Sequence, residues 1–594
     1  MAKVTTDVQS GGVLTITNLT LAASQTLKLT GGDLTFAGTT NLDQGTKTFT
    51  SGTYRFADQA VLETALGSLS AVLGNNPSAM LDSPNATLRT KGPTFTSSAD
   101  VAKFGTWEVQ SGSREKPSTA TGSEQLAKVT TDVQSGGVLT ITALTLGASQ
   151  VLKLTGGDLT FAGLTNLDEG TKAFDSGKYG FADQAVLETT KASLTEVLGN
   201  VDTMELSSGA TLRTKGGSFT SSADVTKFGT WEVQGAATTA TGAEQLSKTT
   251  DVQSGGDLTV TDLTLVAGKT LKNTGGTLTF AGTTNVDEGT LVLQSGTSAL
   301  ASGATLVTNQ PNADAIQSGA VRSLANREEA TLQTDSTFES TGGFAGSFGN
   351  WLVNANAKTD SLALYGSELA ENVQLDATAM NFIDRVVATN TGSALTLNDA
   401  RVVQGAVTGS GSLVKTGSGT LVLEKGNHRY TGTTEVQSGT LVLEKGANLA
   451  GDLTMASGST LELSLLETNR EAASRARRLR RALAEETAPS ANHTVAGAAT
   501  LANTAITVAS PTEYSQLAAE SITIANGATL TIDARDFKGG TDRLENVLKA
   551  TSDFTGEYAS FSDNSLVFVL TPEYDPANHA MHLAVRPDTG APEV

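Results

Sequence analysis

Residues 2–46 align without a gap to residues 127–171, and 40 of 45 positions are identical. A chain that contains near-copies of itself must give each copy the same surroundings. Stacking the copies side by side around one continuous core is the general solution. A third, more divergent copy begins near Thr249, and the landmark Asp-Val-Gln-Ser-Gly-Gly starts at Asp7, Asp132 and Asp251. All three tryptophans fall at one repeat position, in Phe104-Gly105-Thr106-Trp107, Phe228-Gly229-Thr230-Trp231 and Phe348-Gly349-Asn350-Trp351. The unit is thus about 120 residues long and occurs three times.

Inside each unit a shorter rhythm runs. Leu14 and Ile16, Leu19 and Leu21, Leu27 and Leu29, Leu34 and Phe36 are apolar pairs at period two, with polar residues between them. That is the pattern of short strands with one buried face. Ser-Gly, Gly-Gly and Asn turns separate the pairs. Copy two repeats the set at Leu139, Ile141, Leu144, Leu146, Leu152, Leu154, Leu159 and Phe161. Copy three departs at one place, where Asn273 replaces Leu29 and Leu154. Either this amide points inward and bonds to a neighbouring coil, because an unpaired one would be costly there, or the register shifts locally. Residues 56–75 and 181–200 carry apolar residues at helical spacing, which predicts amphipathic helices on the side of the β-structure, with 312–329 as the worn counterpart.

The balance of 40 basic against 61 acidic residues gives a net charge of −21, which repels phosphate backbones and anionic lipid heads and argues against nucleic acid as a partner. No cysteine is present, so neither a disulfide framework nor a thiolate metal site is available. A chain that crosses an oxidising compartment unfolded has reason to lack thiols. The start, Met1-Ala2-Lys3-Val4, has no apolar leader segment, and no stretch reaches the roughly 18 apolar residues of a membrane helix. If exported, a chain of this sequence is expected to be a processed or truncated piece.

From Gly409 the sequence becomes highly specific. Gly411, Leu413, Lys415, Gly417, Gly419, Leu421 and Leu423 recur at every second residue, followed by Asn427, Tyr430, Gly432, Val436, Gly439 and Leu441. This closely resembles the passenger-associated transport repeat of autotransporter proteins. His428 and Arg429 separate Asn427 from Tyr430 where that family usually has one residue, and one glycine after Gly432 is missing. The resemblance implies a right-handed parallel β-helix passenger with no cofactor, exported through a C-terminal outer-membrane β-barrel. The residues agree independently: Ser418–Gly426 and Ser438–Gly446 are the same nonapeptide, offset by 20 residues. That offset would stack Leu421 over Leu441 and Leu423 over Leu443, with Leu461 and Leu463 next. Residues 542–585, richer in large apolar side chains, resemble the segment before the barrel linker, which serves there as folding seed and cap; an exposed solenoid end is an open sheet edge that needs covering.

Catalytic chemistry finds little footing. The four histidines, His428, His493, His579 and His582, all lie outside the repeat copies, and no nucleophile elbow surrounds a serine. Gly268-Lys269-Thr270 lacks the first glycine of a phosphate loop. Asp43, Asp168 and Asp287 recur at one turn, but without a calcium-loop motif they read as solvated turn carboxylates. The repeated tryptophans read as packing, with sugar stacking as the sharper alternative. Arg475, Arg477, Arg478, Arg480 and Arg481 form a basic cluster in an acidic chain. It reads as a helical excursion, with a processing site or an anionic-surface contact as the sharper readings.

The expected organisation is therefore repeat copies at 1–125, 126–247 and 248–358, then β-helix at 359–464 with the transport repeat at 409–441. An arginine-rich excursion at 465–490 and a C-terminal end and cap at 491–594 follow. The expected function is a non-enzymatic passenger on the surface of a Gram-negative cell. It would adhere to a host or bacterial surface ligand or to itself, without inserting in the membrane. A polysaccharide-degrading β-helix enzyme and a passive spacer are the alternatives.

Overall fold

The computed structural model describes residues 4–465 and 492–588, except 75, 123, 240–242, 319–323, 363–365, 376–384, 389–392, 398–400, 404–405 and 424–426. The chain divides into two compact units. One comprises residues 1–281, 288–299 and 318–323, the other 282–287, 300–317 and 324–594.

Both units are parallel β-solenoid, with about 21 stacked coils and three α-helices among the described residues. Copy two shows how the sequence dictates this. In the strand Val138–Thr142, Leu139 and Ile141 are fully buried while Thr140 between them and Thr142 after them face outward. Leu139 stacks on Leu159 and then Tyr179; Ile141 stacks on Phe161 and then Phe181. Each coil thus lays like upon like about 4.8 Å further along. The aromatic column continues from Phe161 to Phe181 to Phe228 with ring centroids 5.2 Å apart at each step. The transport-repeat region obeys the same rule. Leu421 stacks on Leu441 and Leu461, Leu423 on Leu443 and Leu463, as the 20-residue offset requires.

Trp107, Trp231 and Trp351 are each 0% exposed, so they are packing groups and not platforms. Each indole N–H donates to a threonine hydroxyl on the preceding coil, Thr90 at 3.3 Å, Thr214 at 3.1 Å and Thr334 at 3.2 Å. A buried indole thereby keeps its one polar atom satisfied.

The expected long helices are corrected. Residues 56–75 contain the end of the strand Thr46–Phe56, the strand Val61–Thr64, and a helix α1 of five residues, Leu69–Leu73. Residues 181–200 likewise contain Val186–Thr189 and the helix α2, Leu194–Leu198. The apolar spacing was that of a strand and a helix in succession. Leu62 and Leu187 are claimed by the coil, where they stack on Leu88 and Leu212. Ser68 and Ser193 then cap the short helices, accepting from the N–H groups of Ala71 and Glu196. In copy three the helix α3, Gln310–Ser318, is nine residues long.

Asn273 points inward at 0% exposure, and its register with Val252 is unshifted. Its amide N–H groups donate to the Thr297 carbonyl at 2.9 Å and the Ser298 hydroxyl at 3.0 Å. Its oxygen accepts from the N–H groups of Gly275 and Gly276. Towards the C-terminus the parallel ladder gives way to an antiparallel one, in which Ala580–Pro587 pairs with both Arg543–Thr555 and Phe568–Asp575.

Candidate functional site

The residues of the transport-repeat motif face the interior or turn the corners. Leu413, Leu421, Leu423, Tyr430, Val436 and Leu441 are all 0% exposed. So is Lys415, whose strand register sets it beside Leu397 on one coil and Val436 on the next. Its ammonium donates to the carbonyls of Thr416 and, at 2.9 Å, Gly417, so the buried charge caps a turn. The Tyr430 hydroxyl bonds the Thr434 hydroxyl, and burial pushes its pKa up.

The glycines mark close approach of coils. A Cβ on Gly432 would sit 2.1 Å from the carbonyl oxygen of Gly411, and one on Gly451 would sit 2.0 Å from that of Gly432. Only glycine fits such a column. Gly439 adopts φ +74°, and a Cβ there would lie 2.4 Å from the Gly419 carbonyl and 2.6 Å from that of Gly417. The additional residue between Asn427 and Tyr430 is absorbed by the strand Asn427–Tyr430: His428 turns inward, its Nδ1 accepting from the Val407 N–H, and Arg429 turns out. The motif is a code for stacking coils: its described side chains are buried, and its glycines let the coils approach.

Arg475, Arg477, Arg478, Arg480 and Arg481 lie outside the described residues. The segment's two flanks are described, and they meet. His493 is 0% exposed, and its Nε2–H faces the carbonyls of Leu443 and Ser464, both at 3.1 Å. Burial lowers the His493 pKa to about 4.

The recurrent turn carboxylates are bonded to protein and are not merely solvated. Asp43 accepts from the Thr64 hydroxyl at 2.6 Å and the Ala65 N–H at 2.7 Å; Asp168 accepts from the Thr189 hydroxyl at 2.5 Å and the Thr190 N–H at 2.7 Å. Each ties one coil to the next. Among the described residues no group of three or more acidic or histidine side chains could hold a metal ion.

Two outward features of the lateral surface escaped the sequence reading. One is a charge ladder: Arg89 lies between Glu63 and Glu108, with Nε 2.5 Å from Glu108 and Lys91 2.8 Å from Glu63. Copy two repeats it as Glu188, Arg213 and Glu232. The Lys91 hydrogen bond is the first cause that holds the Glu63 carboxyl below its ordinary value. The other is an open groove of about 640 Å³ in copy three, lined by Gln310 and Asp314 of α3 and by Thr337, Glu339, Lys358 and Gln374. Its signal was a shortened connection before α3, invisible without knowing where the preceding strand ends.

Comparison with known families gives one result. The model of the passenger-associated-transport-repeat matches residues 24–46, 269–293 and 413–443. The third match is the motif read from the sequence; the first two, in copies one and three, were missed. The signal was present, because Gly282–Leu293 and Gly432–Leu443 agree at nine of twelve positions. No curated protein and no solved structure gives a match.

Proposed function

We propose that this chain, a parallel β-solenoid carrying three passenger-associated transport repeats, is the displayed part of an autotransporter that works by adhesion or self-association on the surface of a Gram-negative cell. The observation that carries the reading is the coincidence of repeat and fold: the third match lies on coils whose every motif leucine is buried and stacked. The repeat belongs to passengers that are generally non-enzymatic. With the interior closed by packing, the lateral surface is what such a chain has to offer a partner, and a surface that repeats gives many weak contacts at once. A partner on a host or bacterial surface, or a second copy, suits this better than nucleic acid, which the net charge of −21 repels.

The test is expression of the complete reading frame in a bacterial host without other surface adhesins. Antibody to residues 1–358 should label intact cells, external protease should remove the label, and the cells should clump or bind a host-cell monolayer. Label that appears only after lysis would sink surface display. Labelled cells that neither clump nor adhere would sink the adhesive role and leave a spacer.

A further inference from the structure

Copies two and three differ where the chain leaves a strand and enters its helix. In copy two, Thr190, Lys191, Ala192 and Ser193 separate Val186–Thr189 from α2. The Ala192 carbonyl accepts the backbone N–H of Thr220 at 2.8 Å. Copy one does the same with the Gly67 carbonyl and the N–H of Thr96, also at 2.8 Å. Thr96 and Thr220 each follow the phenylalanine that packs on the coil's tryptophan, Phe95 on Trp107 and Phe219 on Trp231. In these copies a short extended loop therefore lies along the strand and supplies it with a backbone hydrogen bond.

In copy three the matching phenylalanine is Phe338, which packs on Trp351 at 6.3 Å, and the residue after it is Glu339. Only Thr308 and Asn309 stand between Thr305–Val307 and α3. Thr308 is the counterpart of Thr189, so Asn309 alone takes the place of residues 190–193 and the loop is three residues shorter; the N–H of Glu339 is taken by the side-chain oxygen of Gln310 at 2.7 Å. The 640 Å³ groove lies at this place. The matching hollow in copy two, at Ser218 and Phe219, measures about 120 Å³.

We propose that the copy-three groove receives an extended peptide segment of a partner protein, which lies where copies one and two lay their own loops. The segment offers a carbonyl to the Glu339 N–H, and the flexible Gln310 amide gives way to it. Addition of a strand to an exposed backbone edge is a general mode of peptide recognition. The chemistry of the occupant follows from the loops it replaces. Gly67 and Ala192 are small and each is followed by serine, and Lys191 precedes Ala192. A basic residue, a small residue and a serine in extended conformation fit a groove that carries two carboxylates, Asp314 and Glu339, against one cation, Lys358, which lies 3.8 Å from Glu339.

The probe is a labelled synthetic octapeptide with the sequence of residues 188–195, Glu-Thr-Thr-Lys-Ala-Ser-Leu-Thr, titrated into the full chain. Saturable binding is expected, with Kd on the order of 100 µM for so short a segment. Gln310→Ala frees the Glu339 N–H and should tighten binding about threefold. Thr337→Trp, at an exposed position, should weaken it at least about tenfold while the thermal melt stays unchanged. Inserting Thr-Lys-Ala between Thr308 and Asn309, which restores the loop, should abolish it. The proposal is overturned if the octapeptide binds no better than a scrambled one, or if both filled variants bind it like the parent. It is equally overturned if a neutral oligosaccharide displaces it, which would make the groove a sugar site.

Discussion

In copy two of the repeat, three interior positions around one corner hold Leu154, Phe174 and Tyr179; in copy three the same positions hold Asn273, Leu293 and Ser298. The rings of Phe174 and Tyr179 lie 4.6 Å apart, and the Tyr179 hydroxyl reaches the Asn200 carbonyl at 2.8 Å. Copy three abandons that aromatic pair for an amide and a hydroxyl bonded to each other, at 3.0 Å, and to the backbone of the adjoining corner. The strand ladders around them are the same. A solenoid coil thus tolerates two unlike interiors, apolar and polar, provided each is complete. A mixture of the two would leave an amide against a ring, or a hydroxyl against a leucine, with the desolvation cost unrecovered.

The comparison breaks most visibly if the shared part of the coil proves unequal. Trp231→Ala and Trp351→Ala should each weaken the surrounding coil by about 3–5 kcal/mol, and by the same amount within error, because both indoles are fully buried on a threonine partner. The readout is native-state hydrogen exchange of the flanking strand amides, which resolves one coil from another where a single melting point does not. Clearly unequal losses would show that the interiors, and not the ladders, set coil stability.

Next in size is the mixture itself. Leu154→Asn puts a copy-three amide into a copy-two coil and should cost about 2–4 kcal/mol by the same readout. Acid supplies a control. Neither copy contains a histidine, whereas buried His493 has its pKa lowered from 6.5 to about 4. Below pH 6.5 the unfolded chain takes up a proton there that the folded chain refuses. The stability that depends on this group is therefore full above pH 6.5, falls as the pH drops, and stops falling near pH 4. The loss is about 3 kcal/mol at roughly 1.4 kcal/mol per pH unit. Exchange at Asn448–Leu449 and His493–Leu501 should quicken across that window, while the difference between copies two and three stays constant.

Smaller effects sharpen the comparison. Asn273→Leu and Ser298→Tyr made together should cost about 1–2 kcal/mol less than the sum of the two single changes, since the pair moves copy three towards the copy-two interior. Strict additivity would mean the two positions are independent. Last, Asp168→Ala should cost about 1 kcal/mol, because the Thr189 hydroxyl donates to Asp168 at 2.5 Å and the Thr190 N–H at 2.7 Å.

Much of this was legible in the sequence, for a physical reason. In a parallel stack the neighbour of a residue is the residue one coil on, so a repeated nonapeptide reports three-dimensional contact directly, as Leu421, Leu441 and Leu461 show. The invariant tryptophans were legible because their place recurs. Helix extent was not: Val61-Leu62-Glu63-Thr64 has apolar residues that serve either period, and only the ladder to Thr87–Thr90 decides for strand. Asn273 was legible as an anomaly but not as a solution, because its partner Ser298 is remarkable only once known to replace Tyr179. The groove was not legible at all, since the stretch from Thr308 to Phe338 is as long as that from Thr189 to Phe219 and the difference lies in where the helix begins.

The strands Thr5–Val8, Thr130–Gln134 and Thr249–Val252 share the sequence Thr-Thr-Asp-Val. The second pairs with Thr106–Val109 and the third with Thr230–Val233, and both of those read Thr-Trp-Glu-Val. Locally, then, each of the three strands fits either berth equally well. Such contacts hold a coil in place but carry no address: nothing in them tells a strand which copy it belongs to. The missing information must come from order. A chain that emerges from one end settles each strand on the only berth then built, whereas a chain released all at once from denaturant must sort among identical offers.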